Sequence, residues 1–335
     1  MPYSANTAMY GPRYDLLGAL HSTAKMQSYV ATQVLPKLTV FERTGQYTKV
    51  LNSKAYRLLK TKRAAGQGFA RVATPIDSGT FLCEERGVEE SVDRVNKAVY
   101  RSVMDQDMVA ARTAYNVMRI DRENDVASAI YNETTFPASG TTGLTVGTPW
   151  STAASATPIA DINTGKNAII AKVGMGRFAL VANDKVIRNL WNTANVRNQM
   201  VYGYGRPIEG EPKLDVLANV LGVDKIIQAS ATYNSANANA TATMSRIWSD
   251  TYAFLARISD SQALDEPQLG RTFVNTVVYE ESGDDQIVVG DIDDPDVFIE
   301  VYQDKPNAST IARVREFVDE VILDSNCGFL FKTVT

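Results

Sequence analysis

Asp291, Asp293, Asp294 and Asp296 form the densest group of metal-ligating side chains in the sequence. Closely spaced carboxylates can hold a hard cation. A calcium loop of the EF-hand kind takes ligands from positions one, three and five, and needs glycine at six and glutamate at twelve. Counted from Asp291, position five is Pro295 and position six is Asp296, so the run reads as a solvated acidic loop and no metal is expected. Gly174-Met175-Gly176 and Gly203-Tyr204-Gly205 match halves of a nucleotide-binding glycine pattern, but neither has a third glycine at the right step. Gly165-Lys166 is followed by Asn167, not by the Ser or Thr that would hold magnesium. All three read as turn glycines, and no cofactor is expected. His21 is the single histidine and has no nucleophile motif beside it. Cys83 and Cys327 lie too far apart for a CxxC pair and read as inert thiols, which excludes a disulfide framework and a structural zinc site. Catalysis would have to rely on carboxylates, lysines or tyrosines, and the chain is not expected to be an enzyme.

The 335 residues are 44% apolar and 21% charged, a globular composition long enough for two or three cores. No apolar run reaches the ~18 residues of a membrane span, and the start lacks a basic region followed by an apolar stretch, so neither a membrane segment nor a secretory signal is expected. The net charge of −4 hides a polarity. Of 34 bases and 38 acids, residues 1–75 hold eleven bases and two acids, which leaves 23 bases and 36 acids for the rest. Either this basic segment binds nucleic acid, or it lies on the acidic body of another copy. Its bases alternate with Tyr47, Leu51, Tyr56, Leu58 and Phe69, so it also needs an apolar surface, which favours the second reading.

Residues 1–39 show little helical or strand period and would form a poor core alone; a neighbouring subunit is expected to hold them. Residues 40–72 read as a hairpin with its tip at Asn52-Ser53-Lys54 and a returning arm through Tyr56 and Leu58. It would project roughly 40 Å and would need a partner or its own domain to lie on. From Val88 to Phe136 there is neither Gly nor Pro, and Val92, Val95, Val99, Val103, Ala110, Ala114, Val117 and Met118 recur at helical steps. They predict a helix from about 91 to 131, roughly 60 Å long, serving as a strut. Beyond Pro158 the pattern becomes mixed: helix 159–173, strand 177–182, a helix opened by Asn183 and running through Trp191, helix 213–221 stopped by Gly222, and strands 225–231, 248–258 and 272–279. Residues 280–300 hold nine acids and read as a solvated turn; strands 298–302, 313–323 and 328–334 follow.

This order resembles the major capsid proteins of tailed bacteriophages, the fold first seen in phage Hong Kong 97. The wording that carries the likeness is Phe81-Leu82-Cys83-Glu84-Glu85 running into the strut helix, Ser151 to Ile162, and Leu217 to Val223 with Ala231 to Ala236 and Ile247-Trp248-Ser249. Ile311 to Asp324 with Gly328 to Phe331 completes it. The resemblance implies an α+β, Hong Kong 97-type capsid fold with an N-terminal arm (1–39), an extended β-hairpin loop (40–72), a peripheral domain with a long spine helix (73–157), and an α/β axial domain (158–295). Return strands of the peripheral domain (296–325) and a closing strand of the axial domain (326–335) end the chain.

It also implies hexamers and pentamers of this chain closing into an icosahedral shell around double-stranded DNA, in a virion assembled in the host cytoplasm. Portal, scaffolding and decoration proteins would be partners, DNA would be contacted weakly and without sequence specificity, and no membrane would be involved. The scaffolding segment some relatives carry before the arm has no counterpart here, so a separate scaffold or its removal is implied. Some relatives crosslink through a loop lysine; Lys54, Lys60 and Lys62 stand on this loop, and no partner can be assigned. Candidate inter-subunit residues are Arg43, Lys49, Lys54, Arg57, Lys60, Lys62, Arg63 and Arg71 on the loop, Glu84, Glu85, Glu89, Glu90 and Asp93 at the spine, and Tyr10 and Tyr14 in the arm. An encapsulin-like compartment for cargo enzymes is the alternative within the fold.

Overall fold

A computed structural model describes residues 29–50, 76–100, 105–204, 210–237, 240–259, 266–276 and 297–335, with isolated positions at 58–71 and at 264. Two five-stranded sheets organise it. In the first, β13 (Ser309–Ile322) pairs antiparallel with β4 (Glu84–Asp93), β12 (Val297–Asp304) and β11 (Gly270–Asn275), and β1 (Lys37–Val40) runs parallel to β11. In the second, β5 (Gly143–Thr145), β14 (Gly328–Lys332), β10 (Tyr252–Ile258), β6 (Arg177–Asn183) and β7 (Lys225–Ala229) follow in that spatial order.

Alternation along the strands explains why the second sheet is covered on both faces. Phe178, Leu180 and Ala182 of β6 point into one core with Ala253 and Leu255 of β10 and with Phe329 and Phe331 of β14. Ala179, Val181, Phe254, Ala256 and Leu330 point into the other. The first core is closed by α4 (Pro158–Val173), α5 (Asp184–Asn192), α6 (Ala194–Tyr204) and α7 (Leu214–Leu221). Local chemistry sets their ends. Pro158 opens α4 and Gly174 closes it; the Asn183 side chain accepts the Val186 N–H at 2.9 Å; Gly222 ends α7 at φ 66°, where a Cβ would be strained. Gly165 and Gly203 are not turn residues as expected. Both sit inside helices, and Gly165 lets α4 approach the Phe329 and Phe331 rings, where a Cβ would lie 2.9 Å from Phe331.

The strut departs from its predicted form. Residues 91–93 finish β4, and the helix comes in two pieces, α2 (Arg94–Tyr100) and α3 (Gln106–Ile130). Asp105 takes an extended conformation and its carboxylate accepts the N–H groups of Asp107 and Met108, so it caps a fresh helix start that unbroken apolar periodicity conceals. Helix α3, about 37 Å long, joins the sheets. Ala110, Ala111, Ala114, Tyr115 and Met118 pack on the first, and Val126, Ala127 and Ile130 on the core behind the second.

The hairpin also differs. β2 (Thr44–Val50) pairs with β3 (Ile76–Leu82), well beyond the return arm expected through Tyr56 and Leu58, of which Tyr56 lies outside the described residues. Gly45 stands opposite Phe81 and Tyr47 opposite Gly79, each ring lying over the facing glycine. This reciprocal packing fixes the register. The predicted tip at 52–54 lies outside the described residues, as do the acidic run at 291–296 and most of the arm.

Residues 29–39 are not left for a neighbour, as expected, but dock on their own body. Val30, Ala31, Val34 and Leu35 are buried around the short helix α1 (Ala31–Val34), and β1 joins the first sheet. Four boundaries shift as well. The strand expected over 298–302 runs from Val297 to Asp304, and residues 297–300, also counted in the solvated turn, belong to it, with Val297, Phe298 and Ile299 buried. β11, expected within an axial unit ending at 295, pairs with β1 and β13 in the first sheet, whereas β5, expected in the peripheral unit, lies in the second. The strand expected from 248 begins at Tyr252.

Candidate inter-subunit surface

The base of the β2–β3 ribbon is held to the first sheet by stacked rings: Phe81 on Phe273 at 4.6 Å and Tyr47 on Phe273 at 5.4 Å. Lys49 donates to the Leu323 carbonyl at 2.7 Å and faces Asp77 at 3.7 Å, and the Arg43 guanidinium lies 4.7 Å from the Phe317 ring centre. Lys49 and Arg43, expected to reach another copy, thus already bind this one. Lys62, Arg63 and Arg71 are exposed, with Arg63 stacked on Phe69 at 4.2 Å. Lys54, Arg57, Lys60, Tyr10 and Tyr14 lie outside the described residues.

The acidic candidates divide. Glu89 receives Arg313 at 2.6 Å and the Tyr302 hydroxyl at 3.1 Å; those hydrogen bonds, the Arg313 one foremost, hold its carboxyl below the usual range. Glu85 faces Arg315 at 3.3 Å. Asp93 accepts the Val95 N–H at 2.7 Å and so caps α2. Glu84 is exposed and Glu90 half-buried. Much of the acidic strip is therefore neutralised by β13, and its remaining charge at the surface is smaller than the sequence suggests.

What the sequence reading missed is apolar. Helix α2 buries none of its residues; Val95 and Val99, one turn apart, are 69% and 65% exposed, with Tyr100 beside them. Phe41 and Leu82 are exposed at the ribbon base and Ile76 farther up the same side, which otherwise carries Thr44, Gln46, Thr48, Ser78 and Thr80. An uncharged strip beside exposed aliphatic side chains has the composition of an interface core. The valine spacing was visible in the sequence as one face of the strut helix; only exposure shows that this part of the face is left open.

Beneath this surface a buried ionic cluster ties α3 to the first sheet. Arg122 reaches Glu316 at 3.2 Å and Glu320 at 3.6 Å, and Arg86 reaches Glu320 at 2.8 Å and Asp125 at 2.9 Å. Burial raises the Glu320 carboxyl, with Arg86 and then Arg122 pulling it back. Among the described residues no group of three or more acidic, histidine or cysteine side chains is placed to hold a metal, and no helix is long and apolar enough to cross a membrane.

Two five-stranded sheets bridged by a long helix, with a ribbon rising from one of them, match the fold of solved phage capsid proteins. Solved structures show this along nearly the whole chain. A phage-related protein from Bordetella bronchiseptica is similar with a TM-score of 0.66 at 17% identity, covering 96% of this chain and 97% of that one. A capsid protein ascribed to an Escherichia coli prophage scores 0.53 at 12% identity, covering 95% and 98%. The capsid of Cyanophage P-SCSP1u scores 0.52 at 11% identity, covering 89% and 86%. In sequence, the chain is similar to the major capsid protein of Burkholderia phage BcepMu, 24% identical over 207 residues. That match covers 61% of this chain and 64% of the relative, less than two thirds of its length. No protein-family model matches the sequence.

Proposed function

We propose that this chain is a major capsid protein, a structural subunit that assembles with copies of itself into hexamers and pentamers of an icosahedral phage head enclosing double-stranded DNA. The observation that carries this is the fold shared with solved phage capsid proteins over 89–95% of the chain, together with an apolar strip on α2 and the ribbon that the subunit leaves uncovered. Burial of Val95, Val99, Phe41, Ile76 and Leu82 against neighbours would supply most of the affinity, while loop and spine charges would set register and partner choice. In this reading residues 1–39 are the arm, 40–72 the extended loop and 158–295 the axial unit, with β11 and β5 exchanged between units as described. The product is the virion, assembled in host cytoplasm with portal, scaffolding and decoration proteins, and the role is not catalytic.

Negative-stain microscopy of the purified full-length protein tests the reading. Regular closed particles are expected, and isolated subunits at every concentration would overturn it. Extraction of the particle contents then separates a DNA-enclosing head from an encapsulin-like compartment filled with cargo protein.

A further inference from the structure

Glu123, in the C-terminal half of α3, is fully buried, and besides the charge of Arg119 on its own helix it takes hydrogen bonds from segments outside both α3 and the first sheet. Its carboxylate accepts the backbone N–H of Val30 at 2.9 and 3.1 Å, the N–H of Ala31 at 2.9 Å, and the indole Nε1–H of Trp248 at 2.7 Å. Val30, Ala31 and Trp248 are themselves buried. One carboxylate thus gathers three segments at the point where the chain first enters the body. Burial, the largest influence, raises the Glu123 carboxyl above its ordinary range, and the hydrogen bonds from Val30, Ala31 and Trp248 and the charge of Arg119 pull it partly back. Further along, residues 33–40 are secured in other ways: Gln33 to Lys225 at 3.0 Å, the Leu35 carbonyl to the Thr272 hydroxyl at 3.0 Å, and β1 to β11. Among the described residues, the polar fastening of the upstream end is Glu123.

We propose that Glu123 is a clasp that fixes the point and direction at which the N-terminal arm leaves the subunit. Twenty-eight residues precede Tyr29, a span of roughly 90 Å if fully extended. The strap 29–40 leads within four residues into the ribbon strand β2, so the same clasp also fixes one side of the ribbon base. Glu123 is a positioning residue in this account. It need not touch a neighbouring copy to set where that neighbour is met. The assembly part of the proposal rests on the capsid reading; the clasp itself does not.

Hydrogen exchange on the soluble full-length subunit, comparing wild type with Glu123→Ala and Glu123→Gln, tests the clasp. Exchange at Val30 to Leu35 is expected to rise about tenfold or more in Glu123→Ala, with β6 and β10 unchanged. Glu123→Gln, which keeps an acceptor oxygen, should fall between. Wild-type protection at 30–35 in both variants would overturn the clasp, since packing alone would then hold the strap. If Glu123→Ala loses protection throughout the chain, Glu123→Gln decides. Assembly of the variants then tests the positioning role: a broadened or aberrant particle population is expected, and uniform wild-type particles from a variant with a freed strap would overturn it. Failure of the wild type to form particles would sink the capsid reading and leave the exchange result to judge the clasp.

Discussion

Arg122 illustrates how much rests on single buried groups. With Arg122 and Glu316 both essentially inaccessible, Arg122→Ala would take a buried cation away from Glu316, while Glu320 keeps Arg86. It should cost about 3–5 kcal/mol in chemical unfolding of the unassembled subunit. Replacing Arg122 and Glu316 together by Met and Leu should restore much of that loss, because removing both partners leaves less uncompensated charge; equal losses in single and double variants would contradict the account. The two cysteines give a simpler check. Burial, the largest influence on each, pushes the Cys83 thiol up to about 11 and the Cys327 thiol up to about 12. At pH 8 the reactive thiolate is therefore scarce as well as enclosed. A thiol-disulfide reagent should leave both unlabelled in the native subunit and label both on unfolding. Residues whose roles are local were legible in the sequence: Asn183 as a cap and Gly222 as a helix stop need only neighbours a few positions away. Glu123 was not legible, because its partners lie 93, 92 and 125 positions from it and nothing near it in the chain marks it.

At the scale of elements, the break in the strut is the informative departure. Apolar spacing from Val92 to Met118 fits one helix, and only the Asp105 carboxylate, competing for the N–H groups of Asp107 and Met108, starts α3 afresh. Asp105→Ala should lower subunit stability by about 1 kcal/mol, read as a lower midpoint in thermal or chemical unfolding. An unchanged midpoint would show that packing on the first sheet sets the break. The hairpin was recognised as a kind of element but not in its pairing, since β2 finds its partner some thirty residues along the chain rather than across the nearest polar tip. What fixes that pairing is the fit of Tyr47 over Gly79 and of Phe81 over Gly45, a contact that no periodicity encodes. The α/β part was read closely because its helices and strands alternate with strong caps and nearly unbroken apolar strands. In contrast, the edge strands β1, β3 and β4 are too polar or too short to stand out.

For the whole molecule, the structure moves the boundary between what the subunit completes by itself and what it leaves open. Residues 29–50 belong to its own core and sheets, and Glu85, Glu89, Arg43 and Lys49 are satisfied within the chain. The open surface is instead the aliphatic edge of α2, the ribbon base and the exposed cations of the loop. Reversal of Lys60, Lys62 and Arg63 to Glu should therefore leave the unfolding midpoint of the subunit near wild type while blocking assembly; wild-type yields of closed particles from the triple variant would remove loop charge from the account. The central claim is that the folded subunit is built to associate with copies of itself into a closed shell. Sedimentation velocity of the full-length protein over a wide concentration range tests it most directly. A sharp, very fast-sedimenting species is expected above a threshold concentration, with little material between it and the small capsomer-sized components. A single species at the 36.7 kDa of one chain, persisting to the highest concentration, would contradict it.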